Sequence, residues 1–210
     1  MNLSIGLPQK LVYGNNKEME TGIYKLSTEK ALLTKNGFSG DGVANLKFHG
    51  GPDRAVCFYP YEHYVQWERE FNRPLPSSAF GENVTASHML EEDVFIGNIY
   101  QLGEAVIQIT QGRIPCSTIN KRTNNDLILD RLIETGFTGY FARVLEEGIV
   151  DKDSPITLLE THPKQVSVLF ANETYFHKQK DVERIHTILE VDELANDWRE
   201  RLTKRLQPLT

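Results

Sequence analysis

Cysteine is scarce in this chain: Cys57 and Cys116 are the two it has in 210 residues. Two thiols cannot build a disulfide framework. Neither lies in a Cys-x-x-Cys spacing, and no His-x-x-x-His pair accompanies them, which argues against a preformed zinc site or an iron–sulfur cysteine set. There is no basic surplus either, since 23 Lys and Arg face 29 Asp and Glu for a formal net charge of −6. Binding nucleic acid or an anionic membrane by charge needs concentrated positive charge, so neither partner is expected. No apolar run approaches the roughly 20 residues of a membrane span. The opening MNLSIGLPQKLVYG has no basic region ahead of a long apolar core, as a secretion signal would. A phosphate loop of the Gly-x-x-x-x-Gly-Lys type is missing, as are internal repeats and low-complexity stretches. What remains, 40% hydrophobic and 25% charged, is the profile of a soluble globular chain of one domain with at most a small appendage. A cytoplasmic location is expected.

The periodicity divides the chain near His162-Pro163-Lys164-Gln165. Residues 1–162 read mostly as strands. Ile23–Leu26 and Ala55–Tyr59 are short β-branched or aromatic runs bounded by turn residues. Val94-Phe95-Ile96 meets the turn pair Gly97-Asn98. Ile99–Leu102 and Ala105–Thr110 then follow on either side of Gly103, and Tyr140–Leu145 and Ile156–Leu159 can complete the sheet. Short strands with glycine-rich connections point to a barrel or sandwich. Two packing helices interrupt it. Pro60 opens one that carries Tyr64, Trp67 and Phe71 on one face. Asn124 is placed to cap the other, with Ile128, Leu129, Leu132 and Ile133 as its stripe and Gly136 as its stop. Residues 163–210 read as three helices, Val166–Phe176, Lys180–Leu189 and Asp192–Leu206. This segment carries eight Lys or Arg and eight Asp or Glu. A neutral three-helix tail is expected to pack or dock rather than to read DNA, and so short a bundle is marginal alone.

Three stretches could carry chemistry. In Gln111-Gly112-Arg113-Ile114-Pro115-Cys116 the proline sets the backbone just before the thiol, with Arg113, Lys121 and Arg122 close in sequence. Nearby cations favour the thiolate, the form that attacks electrophiles and binds soft metals; a buried apolar filler is the bland alternative. Cys57, in Ala-Val-Cys-Phe-Tyr, reads as core. In Gly40–Arg54, the paired Gly50 and Gly51 allow backbone N–H groups to approach an anion, with Lys47, His49 and Arg54 at hand; a plain glycine turn is the alternative. In Phe80-Gly81-Glu82-Asn83-Val84-Thr85, Asn83 is a hydrogen-bonder beside a flexible glycine. The other histidines show no ligand spacing.

Six blocks in this order resemble the MOSC domain, the molybdenum cofactor sulfurase C-terminal domain. They are Gly-Asp-Gly near 40, Lys-Phe-His-Gly-Gly-Pro-Asp-Arg-Ala-Val near 50, Tyr-Pro-Tyr-Glu-His-Tyr near 60, Phe-Gly-Glu-Asn-Val-Thr at 80, Ile-Gly-Asn at 96 and Gln-Gly-Arg-Ile-Pro-Cys at 111. The likeness covers about residues 1–160, and the tail resembles the three-helix extension of the YiiM-like bacterial subgroup. The resemblance implies a mostly-β chain: a MOSC-type β-barrel with a few packing helices over 1–162, followed by the three-helix segment over 163–210. It also implies that Cys116 is the ligand of molybdenum in a molybdenum cofactor. Lys47, His49, Gly50, Gly51, Arg54, Arg113 and Arg122 are then candidates for the cofactor's phosphate, and Asn83 for its pterin. Members of this kind are associated with reducing N-hydroxylated compounds, including hydroxylated purine analogues. A pyridoxal-phosphate association is inherited, at family level only, from the larger sulfurases.

The expected partners are a small N-hydroxylated substrate and, because the chain has no redox group of its own, an external electron-transfer protein. Homodimers are common among such domains, which leaves that assembly open. Two other readings use the same thiol: a non-enzymatic carrier of sulfur or cofactor on Cys116, and a thiol hydrolase with His49 as base. The chain departs from the family pattern at Ser117-Thr118, where relatives often carry Trp and Lys. That removes a wall and a charge beside the thiol and bears on substrate class and cofactor affinity more than on metal ligation. Arg54 replaces a usual lysine, keeping the charge in a two-pronged form. Gly112 stands where proline is frequent, which is expected to loosen the strand end.

Overall fold

The computed structural model describes residues 1–44 and 50–209. The chain starts with β1 (Asn2–Ile5), a hairpin of β2 (Gln9–Tyr13) and β3 (Lys17–Thr21), then β4 (Leu26–Ser27), β5 (Lys30–Thr34) and β6 (Gly37–Phe38). A 3-10 turn at Pro52–Arg54 leads into β7 (Val56–Pro60), α1 (Tyr61–Phe71) and β8 (Val84–Ala86). Next come β9 (Ile99–Leu102), β10 (Ala105–Gly112), α2 (Thr118–Thr123), α3 (Ile128–Thr135), β11 (Tyr140–Glu146), β12 (Gly148–Asp151) and β13 (Ile156–Glu160). The tail forms α4 (Val168–Phe176), α5 (Val182–Leu189) and α6 (Asn196–Leu206). Eight strands make a curled half-barrel in the order β13-β9-β10-β11-β7-β8-β1-β4, so the expected barrel-like, mostly-strand architecture is present. All its ladders are antiparallel except β7 on β8.

Local sequence accounts for most element ends. Gly103, at φ +61°, turns β9 into β10, a backbone region glycine enters without a Cβ clash. Pro60 precedes α1, and Gly136, at φ +75°, ends α3 by donating to the Leu132 and Ile133 carbonyls. Ser167 and Asp181 cap α4 and α5 by accepting the Phe170 and Arg184 amides at 3.1 Å each, satisfying N–H groups that have no partner inside the helix. Asn124 does not start the α3 helix as expected. It sits at φ +49° and terminates α2, a short helix that the apolar spacing does not announce.

Two of the predicted strands form differently. Ile23–Lys25 lies outside any ladder: Ile23 is buried, and Lys25 is turned inward onto the Asp41 carboxylate. Val94–Ile96 makes a single bridge, Phe95 to Ser167, with the Ile96 amide on the Val166 carbonyl at 2.9 Å. Tertiary pairing with the segment leading into α4 wins there over a local hairpin.

The core explains how so short a tail stays folded. Val168, Ala171, Tyr175, Ile185, Ile188, Leu194, Trp198 and Leu202 belong to the same buried cluster as Ile107, Ile109, Tyr140 and Ala142 of the sheet. Gly112 lies at this seam. A Cβ there would come within 1.8 Å of Asn172 Oδ1, and Trp198 is 3.2 Å away. Contrary to the expected loosening, β10 runs through Gly112 in register with Tyr140, and its lack of a side chain lets the helices close on the sheet. A second apolar cluster, around Tyr59, Trp67, Phe80, Ile119, Ile128 and Leu132, seats α1, α2 and α3 on β7. Among the described residues no helix is long and apolar enough to cross a membrane.

Candidate functional site

β10 ends at Gly112, and the chain then runs through Arg113, Ile114 and the buried Pro115 to Cys116, just ahead of α2. The Arg113 amide donates to the Gly139 carbonyl at 3.0 Å, and the Cys116 carbonyl accepts from the Ile119 amide at 3.1 Å. Both ends of this loop are therefore fixed by backbone bonds. Cys116 is half-buried and keeps a solvent-facing part, whereas Cys57, in the middle of β7, is 6% exposed. Ser117 is exposed and precedes α2 without a side-chain cap, and Thr118 is buried in its first turn.

Around Cys57 the separate sequence blocks meet. Its amide donates to Asn83 Oδ1 at 3.1 Å, and its carbonyl accepts the Asn83 amide at 2.8 Å. Asn83 Nδ2 donates to Asp41 Oδ2 at 2.8 Å and to the Ser4 carbonyl at 3.3 Å. Asp41 Oδ1 also takes the Gly6 amide at 2.8 Å and Lys25 Nζ. On the other side, Arg113 Nη1 donates to Cys57 Sγ at 3.6 Å. The Gly-Asp-Gly, Ala-Val-Cys, Gly-Glu-Asn and Gly-Arg-Ile-Pro-Cys blocks thus form one connected network. Asn83 is 4% exposed and directs its carboxamide into this network rather than outward.

The electrostatics follow from burial. Removal from water pushes the Cys57 thiol above its ordinary value, with Arg113 opposing, so the sulfur stays protonated. Burial also works against the charge on Arg113. Cys57, Cys116, Glu82 and Tyr59 outweigh that, and the guanidinium is held above its ordinary pKa. Glu82 is fully buried and accepts from Tyr64 Oη at 2.6 Å, Thr85 Oγ1 at 2.8 Å and the Phe80 amide at 3.3 Å. Gly81, at φ +73°, makes the turn into Glu82 while packed on Ile23.

The other expected site residues take different places. Lys47 and His49 lie outside the described residues. Gly50 and Gly51 have φ +89° and +96°, and among the described residues a Cβ on Gly51 would meet nothing within 4 Å. Arg54 pairs with Asp197 of α6 at 2.8 Å. Arg122 lies over the Tyr24 ring at 4.6 Å and donates to the Ser77 carbonyl at 3.2 Å, while its buried Nε has no hydrogen-bond partner among the described residues. Lys121 sits over the Tyr13 ring at 3.9 Å.

Sequence reasoning missed Asp41, Lys25 and Glu82 as network members, although the Gly-Asp-Gly and Gly-Glu-Asn blocks contained two of them. It also missed the buried His63–Glu91 pair at 2.6 Å, whose Glu91 takes the Gly139 amide at 2.9 Å. Among the described residues, no group of three or more His, Cys, Asp or Glu side chains could hold a metal ion.

Comparison with known proteins bears on the family and the fold. The family model for the MOSC domain matches residues 45–157, and that for the YiiM-like, 3-alpha helix domain matches residues 166–207. The uncharacterized Bacillus subtilis protein YflK is 42% identical over 206 residues, covering 98% of this chain and 93% of that protein. A Gibberella moniliformis protein named as a reductase is 37% identical over 158 residues, covering 72% of this chain but only 28% of the larger fungal protein. The crystal structure of YiiM from Geobacillus stearothermophilus superposes with a TM-score of 0.82 at 30% identity, covering 98% of this chain and 97% of that one. The chain therefore belongs to the MOSC domain family and carries the YiiM-like three-helix domain behind it.

Proposed function

We propose that this chain binds molybdenum cofactor through Cys116 and reduces N-hydroxylated compounds such as hydroxylaminopurines, with electrons from an external protein. The observation that carries the reading is a partly exposed thiol, Cys116, three residues after an anchored guanidinium: Arg113 donates to the Cys57 sulfur, and its charge is favoured by Cys116. The residues fit a sulfur-rich metal group bearing a phosphate. Cys116 supplies a soft ligand. Among the described residues nothing crowds Gly51, whose backbone N–H can meet an anion, and Arg122 Nε is a buried donor with no hydrogen-bond partner. Arg54 and Arg113 add charge, and Lys47, His49 and Gly50 complete the candidate set. Asn83 acts from behind, holding the Cys57 strand and Asp41 so that Arg113 keeps its place.

When bound, the cofactor supplies two-electron chemistry, by which R–NHOH with two electrons and two protons becomes R–NH2 and water. Cys116 would hold the metal and Arg113 would keep positive charge near that thiol, with Ser117 exposed to solvent next to it. The similarity to a fungal protein named as a reductase supports the reaction class. A cytoplasmic site of action accords with two unpaired thiols.

The test is the molybdenum and pterin content of protein made in a host that synthesises the cofactor, beside Cys116→Ala. Near-stoichiometric metal lost in the variant, with hydroxylamine reduction by an added reductant lost alongside, is the expected result. Metal-free protein in both, with a labile sulfur on Cys116, would replace this reading with the carrier.

A further inference from the structure

The Pro52–Arg54 turn is gripped from two sides. On the sheet side, Arg143 of β11 reaches Asp53 Oδ1 at 2.8 Å, and Thr110 Oγ1 of β10 donates to the Asp53 carbonyl at 2.7 Å. On the helical side, Asp53 Oδ2 accepts the Asn196 amide at 3.2 Å, and Arg54 Nη2 meets Asp197 Oδ2 at 2.8 Å. Arg143 closes the cluster by donating to the Glu193 carbonyl at 2.9 Å. The first turn of α6 and the turn after Gly50-Gly51 are thus joined by contacts 143 positions apart in sequence.

Stability is a poor explanation for the Arg54–Asp197 contact. The two side chains keep 18% and 33% exposure, and pairs so open to water contribute about 0–1 kcal/mol. α6 is already seated by Trp198 and Leu202, both fully buried. Asp197 does not need Arg54 for charge balance either. It lies in the first turn of its helix, where a carboxylate is favoured, and has Arg201 at 2.9 Å one turn on. What the contact does is hold a long, flexible side chain, three residues after Gly51, against the first turn of α6.

We propose that Asp197 is a positioning residue for Arg54, so that the helical extension aims the guanidinium that takes the cofactor's phosphate. The identity of that anion rests on the function proposed above. A side chain ordered in advance gives up less freedom on meeting its ligand, an advantage of about two- to tenfold in affinity.

The probe is inorganic phosphate, titrated into the full chain and followed by phosphorus NMR line width, with thermal melting recorded for each protein. Arg54→Ala is expected to lose most of the binding and Asp197→Ala to weaken it about two- to tenfold. Asp197→Glu should recover it. Arg201→Ala should bind as the wild type does, and melting of Asp197→Ala should stay within about 2 °C of wild type. Unchanged or tighter phosphate binding in Asp197→Ala overturns the proposal. So does wild-type protein that binds no phosphate, or a loss that tracks melting and that Asp197→Glu does not recover. The two readings fail separately. Protein with Cys116-dependent molybdenum but a phosphate site indifferent to Asp197 sinks this inference alone, whereas the expected phosphate pattern on protein that never takes up molybdenum sinks the cofactor reading alone.

Discussion

Arg113 Nη1 lies 3.6 Å from the sulfur of Cys57, and this contact ties the loop carrying Cys116 to the interior of the sheet. The two residues are on β7 and just past the end of β10, with β11 between those strands. The thiol that the sequence reads as core therefore supports the cation three residues ahead of Cys116, the thiol it offers as a candidate for chemistry. A guanidinium has five N–H donors in a fixed fork, so one can rest on sulfur while the group still faces a neighbour.

The two thiols should differ sharply toward reagents. Cys57 is buried and kept protonated, while Cys116 is partly open to solvent. Alkylation of native protein near neutral pH, read by mass, is expected to add one group at Cys116. In denaturant two groups should be added. Fast labelling of Cys57 in the native protein would contradict the burial described.

Gly112→Ala should be disproportionately damaging for so small a change. The added Cβ would meet Asn172 Oδ1 at 1.8 Å, and Asn172 is held in place by donating to the Gly136 carbonyl at 2.7 Å and to Thr138 Oγ1 at 3.0 Å. Overpacking of this kind costs about 1–3 kcal/mol. Urea unfolding is the check.

Tyr64→Phe should expose the value of the Glu82 network. The hydroxyl donates to Glu82 at 2.6 Å and accepts the Ala79 amide at 2.8 Å, so its removal strips two buried groups of a partner at once. A loss of about 1–3 kcal/mol is expected by denaturant unfolding. Tyr61→Phe on the same helix, 53% exposed, should change stability by less than about 0.5 kcal/mol.

Alkaline pH should unfold the protein through its buried phenols. Burial first, and nearby carboxylates second, hold Tyr59, Tyr64 and Tyr140 well above the ordinary tyrosine value of 10.0. The fold therefore retains protons that the unfolded chain releases. Their contribution to stability is complete below pH 10.0 and is lost as pH rises above it. Ultraviolet tyrosinate absorbance recorded with melting curves should show these three ionising only as the protein unfolds.

Much of the local plan was legible along the chain. The β9–β10 hairpin followed from Gly103 between two apolar runs, and α1 and α3 from Pro60, Gly136 and their stripes. The three tail helices came out within four residues of their predicted starts. These signals are carried by neighbours a few positions apart, and backbone sterics act at that range. Asn124 misled because an asparagine suits both a helix start and a left-handed stop, and only the unannounced α2 decides between them.

By itself, then, the sequence determined a strand-rich body with a neutral helical tail, two thiols of unequal character, and a set of motif blocks in a family order. Only the tertiary structure decided that Asp41, Asn83, Cys57 and Arg113 form one network, that Lys25 is buried, and that Arg54 faces Asp197. The reason is physical. Hydrophobic period and turn chemistry are written within a few residues, whereas a buried polar group must find its partner wherever the order of strands brings one.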